Sequence, residues 1–351
     1  MNDSPLTPKA TVVSPSNIAF IKYWGARDLE RAIPENASLS MTLDRCSSRT
    51  TVEHLPNGSD REGSGHEIRW RGSSGSLVAA PPSFADRVAA HLDRLRDWAG
   101  CGGAFRVATE NSFPAAAGIA SSASGFSALT LAVLESLGRQ ESDEVRSELS
   151  RLSGSGSASR SVLGGYVEWP ASSSSAPKGS AGPVSYAAQV ASAEHWDLRD
   201  VITIVESGPK DVSSLDGHKR ARTSPYFEKR LQDLPARLDL VRRAIAARDF
   251  EILGPEIERE AIDLHMIAMT SRPAIFYWQP PTLAVLAAVR ALRADGVAAF
   301  STLDAGANVH VICRPEDEAQ VADRLRAVQG VERLILDRVG QGPRVEAEHL
   351  F

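Results

Sequence analysis

The chain has 351 residues, a formal net charge of -5, 42% hydrophobic residues and 24% charged residues. This composition is typical of a folded globular protein and excludes a disordered or fibrous chain. The negative net charge argues against a basic surface for a nucleic acid backbone. Any phosphate-binding site must therefore be local, which suits small anions better than polymers. The length fits two domains, or one large unit with two lobes that meet at a cleft.

We expect a cytoplasmic protein with reduced thiols. Residues 1–10 lack the basic and apolar segments of a signal peptide, and no window approaches the roughly 20 apolar residues of a membrane span. Cys46, Cys101 and Cys313 are widely spaced, unlike the cysteines of a zinc site or a disulfide scaffold.

The first half of the chain predicts a mixture of strands and helices around an irregular loop at 22–36. Alternating or β-branched residues indicate strands, and apolar residues at helical spacing indicate helices. The predicted elements, in chain order, are strands at Ala10–Ile21 and Ala37–Leu43, a hairpin region around Glu67–Arg71, a helix at Phe84–Ala99, a strand at Phe105–Thr109 and a buried helix at Ser121–Leu137.

The second half predicts a separate lobe. The low-complexity segment Ala171–Pro183 is typical of a surface connection, and we place the boundary after it, which gives lobes of 1–195 and 196–351. No period of 20 to 50 residues indicates a repeat protein. The predicted elements are strands at Val201–Val205, Phe300–Leu303 and Val309–Cys313, with helices at Tyr226–Ala247, Glu256–Met269 and Pro281–Ala294.

The segment Phe113–Gly125, FPAAAGIASSASG, has the composition of a phosphate-binding loop. Its small residues allow close backbone approach, and the following helix points free amide groups toward the loop. Small residues also suit tight packing of a helix on a sheet, which is the alternative. The P-loop and the G-x-G-x-x-G motif are absent, so a different phosphate-binding architecture is needed.

A second segment, Ser153–Gly165, combines five serines and Arg160 within nine residues. Hydroxyl and amide donors around one fixed positive charge suit a phosphate or a carboxylate. The alternative is a Ser/Gly linker with an incidental arginine. Val162, Leu163 and Tyr166 resume an apolar pattern directly afterwards, which argues against a linker.

Two further segments supply charged and aromatic groups. Asp304 follows a predicted strand in FSTLDAGAN, where a carboxylate can act as a general base, although an Asp in this position is also an ordinary turn former. In NIAFIKYWGARD, Lys22 offers a cation beside Tyr23 and Trp24, which could equally form an interface.

These segments together resemble the diphosphomevalonate decarboxylase family. The resemblance rests on NIAFIKYWGARD, NASLSMTL, FPAAAGIASSASGF, SGSGSASRSVLGGYVEW, KDVSS, TSRPAIFYW and LDAGAN, which extend from Asn17 to Asn308. The family belongs to the GHMP superfamily, named after galactokinase, homoserine kinase, mevalonate kinase and phosphomevalonate kinase. It implies an α+β, two-lobed GHMP kinase fold, with a ribosomal protein S5 domain 2-like N-terminal lobe, an α/β C-terminal lobe and a central cleft.

The resemblance also implies roles for individual residues. Asp304 would be the catalytic carboxylate, Arg160 would hold the substrate carboxylate, and Lys22 would lie beside the reactive end of the substrate. The metal ligands stay undetermined. The remaining implied contacts are Asn17, Tyr23, Trp24, Ser155, Ser157 and Ser214 for the substrate, and Ala117, Gly118, Ser121, Ser122 and Ser124 for ATP.

The implied activity is ATP- and Mg²⁺-dependent decarboxylation of a 5-phosphorylated mevalonate. Phosphorylation of the tertiary hydroxyl makes a leaving group, and its departure takes the electrons released when carbon dioxide breaks away. The resemblance also implies a homodimer. The partner is a small molecule, with no nucleic acid or membrane. A kinase of the same fold that does not decarboxylate is an alternative, and so is a noncatalytic relative, which would be expected to lose Asp304, Arg160 or the Ser/Gly loop.

Three positions depart from the family pattern and bear on the substrate. Ala26 stands where the family has the lysine of KYWGKRD, Leu215 stands where some relatives have arginine, and Ala307 replaces the proline of DAGPN. Because a diphosphate benefits from each cation that it meets, the loss of charge favours mevalonate 5-phosphate, with isopentenyl phosphate as product. Mevalonate 5-diphosphate is the alternative, with the charge restored by Lys219, Arg220 or Arg222.

Overall fold

The protein has an α+β fold with two principal sheets. The computed structural model describes residues 9–56, 65–72, 75–113, 121–171, 185–206, 208 and 211–351. Its strands are β1 (Lys9–Ile21), β2 (Ala26–Asp28), β3 (Ile33–Pro34), β4 (Ser38–Leu55), β5 (Glu67–Arg71), β6 (Leu77–Ala79), β7 (Ala104–Asn111), β8 (Tyr166–Trp169), β9 (Ala188–Ala191), β10 (Arg199–Ile204), β11 (Ala299–Thr302), β12 (Val309–Cys313), β13 (Arg333–Arg338) and β14 (Arg344–Glu346). Its helices are α1 (Pro82–Ala99), α2 (Ser121–Ser136), α3 (Asp143–Arg151), α4 (Ser214–Arg220), α5 (Phe227–Ala247), α6 (Phe250–Thr270), α7 (Pro280–Ala294) and α8 (Glu318–Arg326).

The larger sheet is built around the long antiparallel pair β1 and β4. Its described strands follow the order β14, β1, β4, β7, β5 and β6, while β8 pairs with β4 and with β9. Helix α2 packs across β1 and β4. Val12 and Val52 of the sheet share a core with Phe126 and Leu129 of α2, so burial of apolar area fixes the helix on the sheet. This packing holds the N-terminus of α2 at one edge of the cleft.

The smaller sheet has the antiparallel order β11, β12, β10 and β13. Alternate residues of β10 face opposite sides, as the two-residue period of a strand requires. Val201 packs with Val285 of α7 and Leu325 of α8, whereas Ile202 belongs to the core that faces α5 and α6. Helices therefore cover both faces of this sheet.

A continuous core joins the two sheets. It contains Phe20 and Leu39 from the larger sheet, Ile202 from the smaller one, Leu234 from α5 and Phe250 from α6. Because α5 and α6 are shared by both sheets, the ends of β1 and β11 are held at a fixed separation. The hydroxyl of Thr302 in β11 donates to the carbonyl of Ala19 in β1 at 3.3 Å, which links the two strands directly.

A buried carboxylate links the sheets at a second point. Asp337 of β13 is 2% exposed and accepts the backbone N–H groups of Asp44, Arg45 and Cys46 in β4 at 2.8, 2.9 and 2.9 Å. Hydrogen bonds to an ionised acceptor are stronger than neutral ones. The carboxylate therefore substitutes for the strand partner that this part of β4 lacks at the junction.

Most predicted elements are present, with ends displaced by a few residues. β12 and the C-terminal ends of α1, α5 and α7 agree with the prediction. Helix α6 begins at Phe250 rather than Glu256, because the side chain of Asp249 caps it by accepting the N–H of Ile252 at 3.1 Å and the helix continues through Pro255. Most of the low-complexity segment falls outside the described residues. The division at residue 195 stays a proposal, and β14 lies in the larger sheet.

The membrane expectation can be compared with the helices of the described ranges. None of those helices combines the length and the apolar character that a membrane crossing requires.

Replacement of Asp337 by alanine should lower the free energy of unfolding by about 3 kcal/mol, because three N–H groups of β4, including the buried one of Cys46, lose their acceptor. Equilibrium urea unfolding measures this change. Asp44→Ala is the matched control, because among the described residues its side chain forms just one ion pair, with the exposed Arg338, and such pairs contribute little. Equal losses in the two variants would show that the Asp337 carboxylate does not join the sheets.

Candidate active site

The site is organised around an ion pair between the ends of two strands. Lys22 directly follows β1 and Asp304 lies two residues beyond β11. The ammonium of Lys22 donates to Oδ1 of Asp304 at 2.8 Å. The Lys22 side chain is 1% exposed, whereas that of Asp304 is 28% exposed. The carboxylate therefore faces the cleft, and the lysine supports it from behind.

The electrostatics of this pair favour an ionised carboxylate. Burial by itself raises the pKa of Asp304, but the charges of Lys22, His310 and Arg160 and the hydrogen bond from Lys22 bring the pKa below its usual value. Burial lowers the pKa of Lys22, and the attraction of Asp304 opposes that shift only in part. At neutral pH, Asp304 is an anion that can accept a hydrogen bond from a hydroxyl group.

Arg160 is a buried cation held by neutral oxygens. It is 2% exposed and donates to Ser40, Ser38 and Asn17 at 3.0, 2.5 and 3.1 Å. Burial lowers its pKa to about 10, so the guanidinium is still charged at neutral pH. In the described part of the chain, no carboxylate lies within ion-pair distance of it. Its charge therefore remains available to an anionic ligand.

Asn17 connects this arginine to the serine-rich turn. Its amide oxygen accepts from Arg160, and its amide nitrogen donates to the hydroxyl of Ser161 at 2.8 Å and to the carbonyl of Ser157 at 3.3 Å. The pairing of β1 with β4 shifts register between Pro15 and Asn17, and such irregularities redirect a side chain. Asn17 thus joins Arg160, Ser157 and Ser161 in one hydrogen-bonded cluster.

Hydroxyl groups cluster where α2 begins. Ser155 donates to Ser122 at 3.2 Å and lies 3.4 Å from the hydroxyl of Ser157. Ser122 is exposed in the first turn of α2, beside Ser121, where helix amides attract anions. The prediction of an ATP phosphate loop also named Ala117 and Gly118, which lie outside the described residues.

Ser124 differs from the other serines that the sequence assigned to ATP. It is fully buried, and its hydroxyl lies 2.7 Å from that of Ser48 in β4. The hydroxyl therefore contributes to the contact between α2 and the sheet, as the packing interpretation of this segment predicts. Ser121 is partly exposed and Ser122 is exposed, whereas Ser124 is buried.

The aromatic residues after Lys22 are packed against α4. The ring of His218 lies 4.2 Å from that of Tyr23 and 4.9 Å from that of Trp24, and its Nδ1 accepts the N–H of Gly25 at 3.0 Å. Burial lowers the pKa of His218 to about 3, so the ring is neutral and can accept this bond. Ser214, a predicted substrate contact, is exposed at the first residue of α4.

Sequence reasoning missed the residues that support these groups. Ser38 and Ser40 hold Arg160, and their spacing of two residues places both on one face of β4. The two-residue spacing of these serines within NASLSMTL could have predicted that both hydroxyls lie on the same face of the strand. No comparable signal marks His218, because its contact with Gly25 joins residues far apart in the chain.

The arrangement combines an ionised carboxylate, a buried cation that has no acidic partner among the described residues, and hydroxyl donors at a helix N-terminus. Two family profiles match the same regions: Diphosphomevalonate decarboxylase-like N-terminal domain at residues 14–181, and Mevalonate 5-diphosphate decarboxylase C-terminal domain at residues 200–332. The chain belongs to the diphosphomevalonate decarboxylase family. The resemblance identified from the sequence is confirmed.

Individual members of the diphosphomevalonate decarboxylase family match along most of the chain. The diphosphomevalonate decarboxylase of Ganoderma lucidum is 34% identical over 331 residues, which cover 88% of this chain and 79% of that protein. The diphosphomevalonate decarboxylase of Candida albicans is 31% identical over 369 residues, covering 97% and 99%.

Solved structures of the family confirm the two-lobed fold. The mevalonate diphosphate decarboxylase of Staphylococcus aureus superposes with a TM-score of 0.86 at 29% identity, covering 96% of this chain and 98% of that one. That of Enterococcus faecalis gives 0.84 at 31% identity, with the same coverage. A complex described as MDDEF with MVAPP, AMPPCP and magnesium gives 0.84 at 32% identity.

Ion pairs engage two of the three cations that could replace the family lysine at Ala26. Lys219 lies 3.2 Å from the carboxylate of Asp216, and Arg222 pairs with Glu35. Arg220, next to them, forms no ion pair within the described residues. Leu215 is 45% exposed and Ala307 is buried.

His218 makes the stability of this site sensitive to acid. Its folded pKa of about 3 lies below the ordinary histidine pKa of about 6.5, so the folded state loses stability as the pH falls below about 6.5. Between pH 7.5 and pH 5.5 the loss from this residue should be about 1 kcal/mol. His218→Asn should remove that part of the loss, as measured by urea unfolding at both pH values. An unchanged pH dependence in the variant would contradict the buried neutral ring.

Proposed function

We propose that the protein converts mevalonate 5-diphosphate into isopentenyl diphosphate with consumption of ATP. The γ-phosphoryl group is transferred to the 3-hydroxyl of the substrate. The bond between C1 and C2 then breaks, its electrons form the double bond between C2 and C3, and phosphate leaves C3. The products are ADP, phosphate, carbon dioxide and isopentenyl diphosphate. The observation that carries the proposal is the buried Arg160, whose charge has no acidic partner in the described part of the chain, in the same site as the Lys22–Asp304 pair.

Asp304 has the properties of an orienting group. A general base is most effective when its pKa lies near the working pH, whereas the pKa of Asp304 is held below the usual value of a carboxyl group. Phosphoryl transfer passes through a loose transition state that depends mainly on alignment and electrostatics. We therefore assign to Asp304 the acceptance of a hydrogen bond from the tertiary hydroxyl, which keeps its oxygen in line for transfer.

Arg160 distinguishes a decarboxylase from a simple kinase. A kinase needs no buried cation for a carboxylate that stays unchanged, whereas decarboxylation needs the C1–C2 bond aligned with the departing phosphate. Ser38, Ser40 and Asn17 fix the guanidinium without neutralising it. An arginine held in this way can bind a carboxylate with two parallel hydrogen bonds.

The hydroxyl cluster at α2 fits the phosphates of ATP. Ser122 offers an exposed hydroxyl in the first turn of a sixteen-residue helix. Ser155 and Ser157, which the resemblance assigns to the substrate, adjoin this hydroxyl. In the described ranges, no group of three or more His, Cys, Asp or Glu side chains is arranged to hold a metal ion. Mg²⁺ commonly binds through substrate phosphates together with one or two carboxylates, and the resemblance leaves those carboxylates undetermined. The ion would neutralise charge on the phosphates of ATP.

The choice of the diphosphate replaces the expectation drawn from Ala26. That expectation, mevalonate 5-phosphate, receives no support from the relatives, which are diphosphomevalonate decarboxylases. Arg220 supports the diphosphate, because no ion pair engages it among the described residues while Lys219 and Arg222 are paired. A homodimer in the cytoplasm remains our prediction from the sequence.

The deciding experiment supplies ATP and Mg²⁺ with either mevalonate 5-diphosphate or mevalonate 5-phosphate and measures ADP and carbon dioxide together. We expect equal amounts of the two products and a higher kcat/KM for the diphosphate. A higher kcat/KM for the monophosphate would reverse the substrate assignment and attribute specificity to Ala26. Production of ADP without carbon dioxide would show a kinase. In the control variant Asp304→Asn, both products should fall by roughly a hundredfold or more.

Ser122 and Ser124 provide a second test, because they lie two residues apart in one helix and face different surroundings. Ser122→Ala should raise the KM for ATP or lower kcat by about tenfold, since a hydroxyl is lost from the phosphate cluster. Ser124→Ala should leave both constants unchanged and lower the free energy of unfolding by about 1 kcal/mol, since it breaks the contact with Ser48. Steady-state kinetics and urea unfolding of both variants decide the matter. The assignment fails if the two variants have exchanged effects.

A further inference from the structure

Lys22 directly follows the last residue of β1 that pairs with β4. The last pair between β1 and β4 joins Ile21 to Leu39, so the N–H and C=O groups of Lys22 have no partner in the sheet. Because Lys22 is buried, these groups need other partners. Glu260 of α6 accepts the N–H at 3.1 Å, and the carbonyl accepts from Arg230 of α5 and from Asn36, both at 2.9 Å.

The groups that hold this backbone are themselves fixed. Glu260 is fully buried between Arg230 and Arg237, and each arginine pairs with one of its carboxylate oxygens. Arg237 also bonds Asp263 at 2.7 Å and lies 3.3 Å from Glu256. A buried carboxylate with two guanidinium partners has little freedom to move. The contact with Lys22 is therefore rigid on the α5 and α6 side.

The same helix also holds the strand that leads to Asp304. Glu258, two residues before Glu260, accepts the N–H of Ser301 at 3.1 Å and its hydroxyl at 2.8 Å. Arg293 of α7 pairs with Glu258 at 2.8 Å and fixes its orientation. Ser301 lies three residues before Asp304. One helix thus bonds both chain segments that carry the ion pair.

We propose that α6 fixes the relative position of Lys22 and Asp304, with Arg230 and Glu260 as positioning residues for Lys22. This inference rests on the proposed function, because it assigns a purpose to the alignment of that pair. A displacement of about 1 Å in a reacting group can cost on the order of a hundredfold in rate. In this proposal Arg230 and Glu260 act through the backbone of Lys22 and do not contact the substrate.

Two arginines of α5 provide a matched comparison. Arg230 and Arg237 both bond Glu260, but only Arg230 bonds Lys22. Lysine keeps the charge but is shorter and lacks the second nitrogen, Nη1, that donates to Asn36, so its single ammonium cannot reproduce the bonds to Glu260, the Lys22 carbonyl and Asn36. We expect Arg230→Lys to lower kcat about tenfold to a hundredfold with KM within about threefold, and Arg237→Lys to leave kcat within about threefold. Circular dichroism and melting temperatures verify that both variants fold.

Equal losses of kcat in the two variants, or an unchanged kcat in Arg230→Lys, would overturn the proposal. If Arg230→Lys does not fold, Asn36→Ala replaces it, because Asn36 is the second donor to the Lys22 carbonyl. That variant should lower kcat about threefold to tenfold, again with KM nearly unchanged. An unchanged kcat in Asn36→Ala would equally count against positioning through this backbone.

A measurement without substrate separates this proposal from the proposed function. The sequence contains six lysines, and Arg230→Lys and Arg237→Lys each add a seventh, so ¹³C-lysine labelling still gives a simple spectrum. The signal that disappears when Lys22→Met is introduced into each protein identifies Lys22. The charged groups acting on Lys22 are Asp304, Glu260 and Arg160. In Arg230→Lys the pKa of Lys22 should fall further, because the buried ammonium moves away from Asp304, and in Arg237→Lys it should not change. The same Lys22 pKa in the unmodified protein, Arg230→Lys and Arg237→Lys would refute the positioning role, even if the enzyme is active. A pKa shift confined to Arg230→Lys would support the role, even if the enzyme is inactive on both mevalonates.

Discussion

The structure depends on holding the opposite charges of Lys22 and Asp304 together between two sheets, where little water reaches the lysine. Burial of an ammonium is unfavourable unless an anion and fixed dipoles replace its hydration. Asp304 supplies the anion at 2.8 Å, and the shared core of α5 and α6 holds the two strand ends that bring the pair together. The same closeness lowers the pKa of Asp304 and keeps the carboxylate ionised in the cleft.

The buried arginines near this pair differ in the charge of their hydrogen-bond partners. Arg230 and Arg237 are neutralised by carboxylates, so their charges are used up within the fold. Arg160 is bonded only to neutral oxygens in the described residues, so its charge acts on the cleft. A buried cation with neutral partners is costly, and an anionic ligand relieves that cost. The distribution of acidic residues thus decides which arginine keeps an unneutralised charge at the cleft and which ones form ion pairs within the fold.

The elements with strong periodicity were predictable, and the short ones were not. β1, α2, α5 and α7 are long enough for their apolar pattern to be unambiguous. The elements α3, α4, β8 and β14 are short, and β14 acquires its partner only when the chain returns to β1. The site followed the same rule. Lys22, Arg160 and Asp304 lie in recognisable segments, whereas His218 and Glu260 act through contacts that span about two hundred residues.

By itself the sequence determined the family, the α+β class and the residue types of the site, because each of these is carried by local segments whose order is preserved along the chain. Only the tertiary structure decided which serines of α2 are exposed and which are buried, since Ser122 and Ser124 differ by their position around one helix turn. It alone also decided which cations remain unpaired, because the partners of Arg222 and Arg230 come from other elements of the chain. Charge pairing depends on distances in space, and spacing along the chain does not fix those distances.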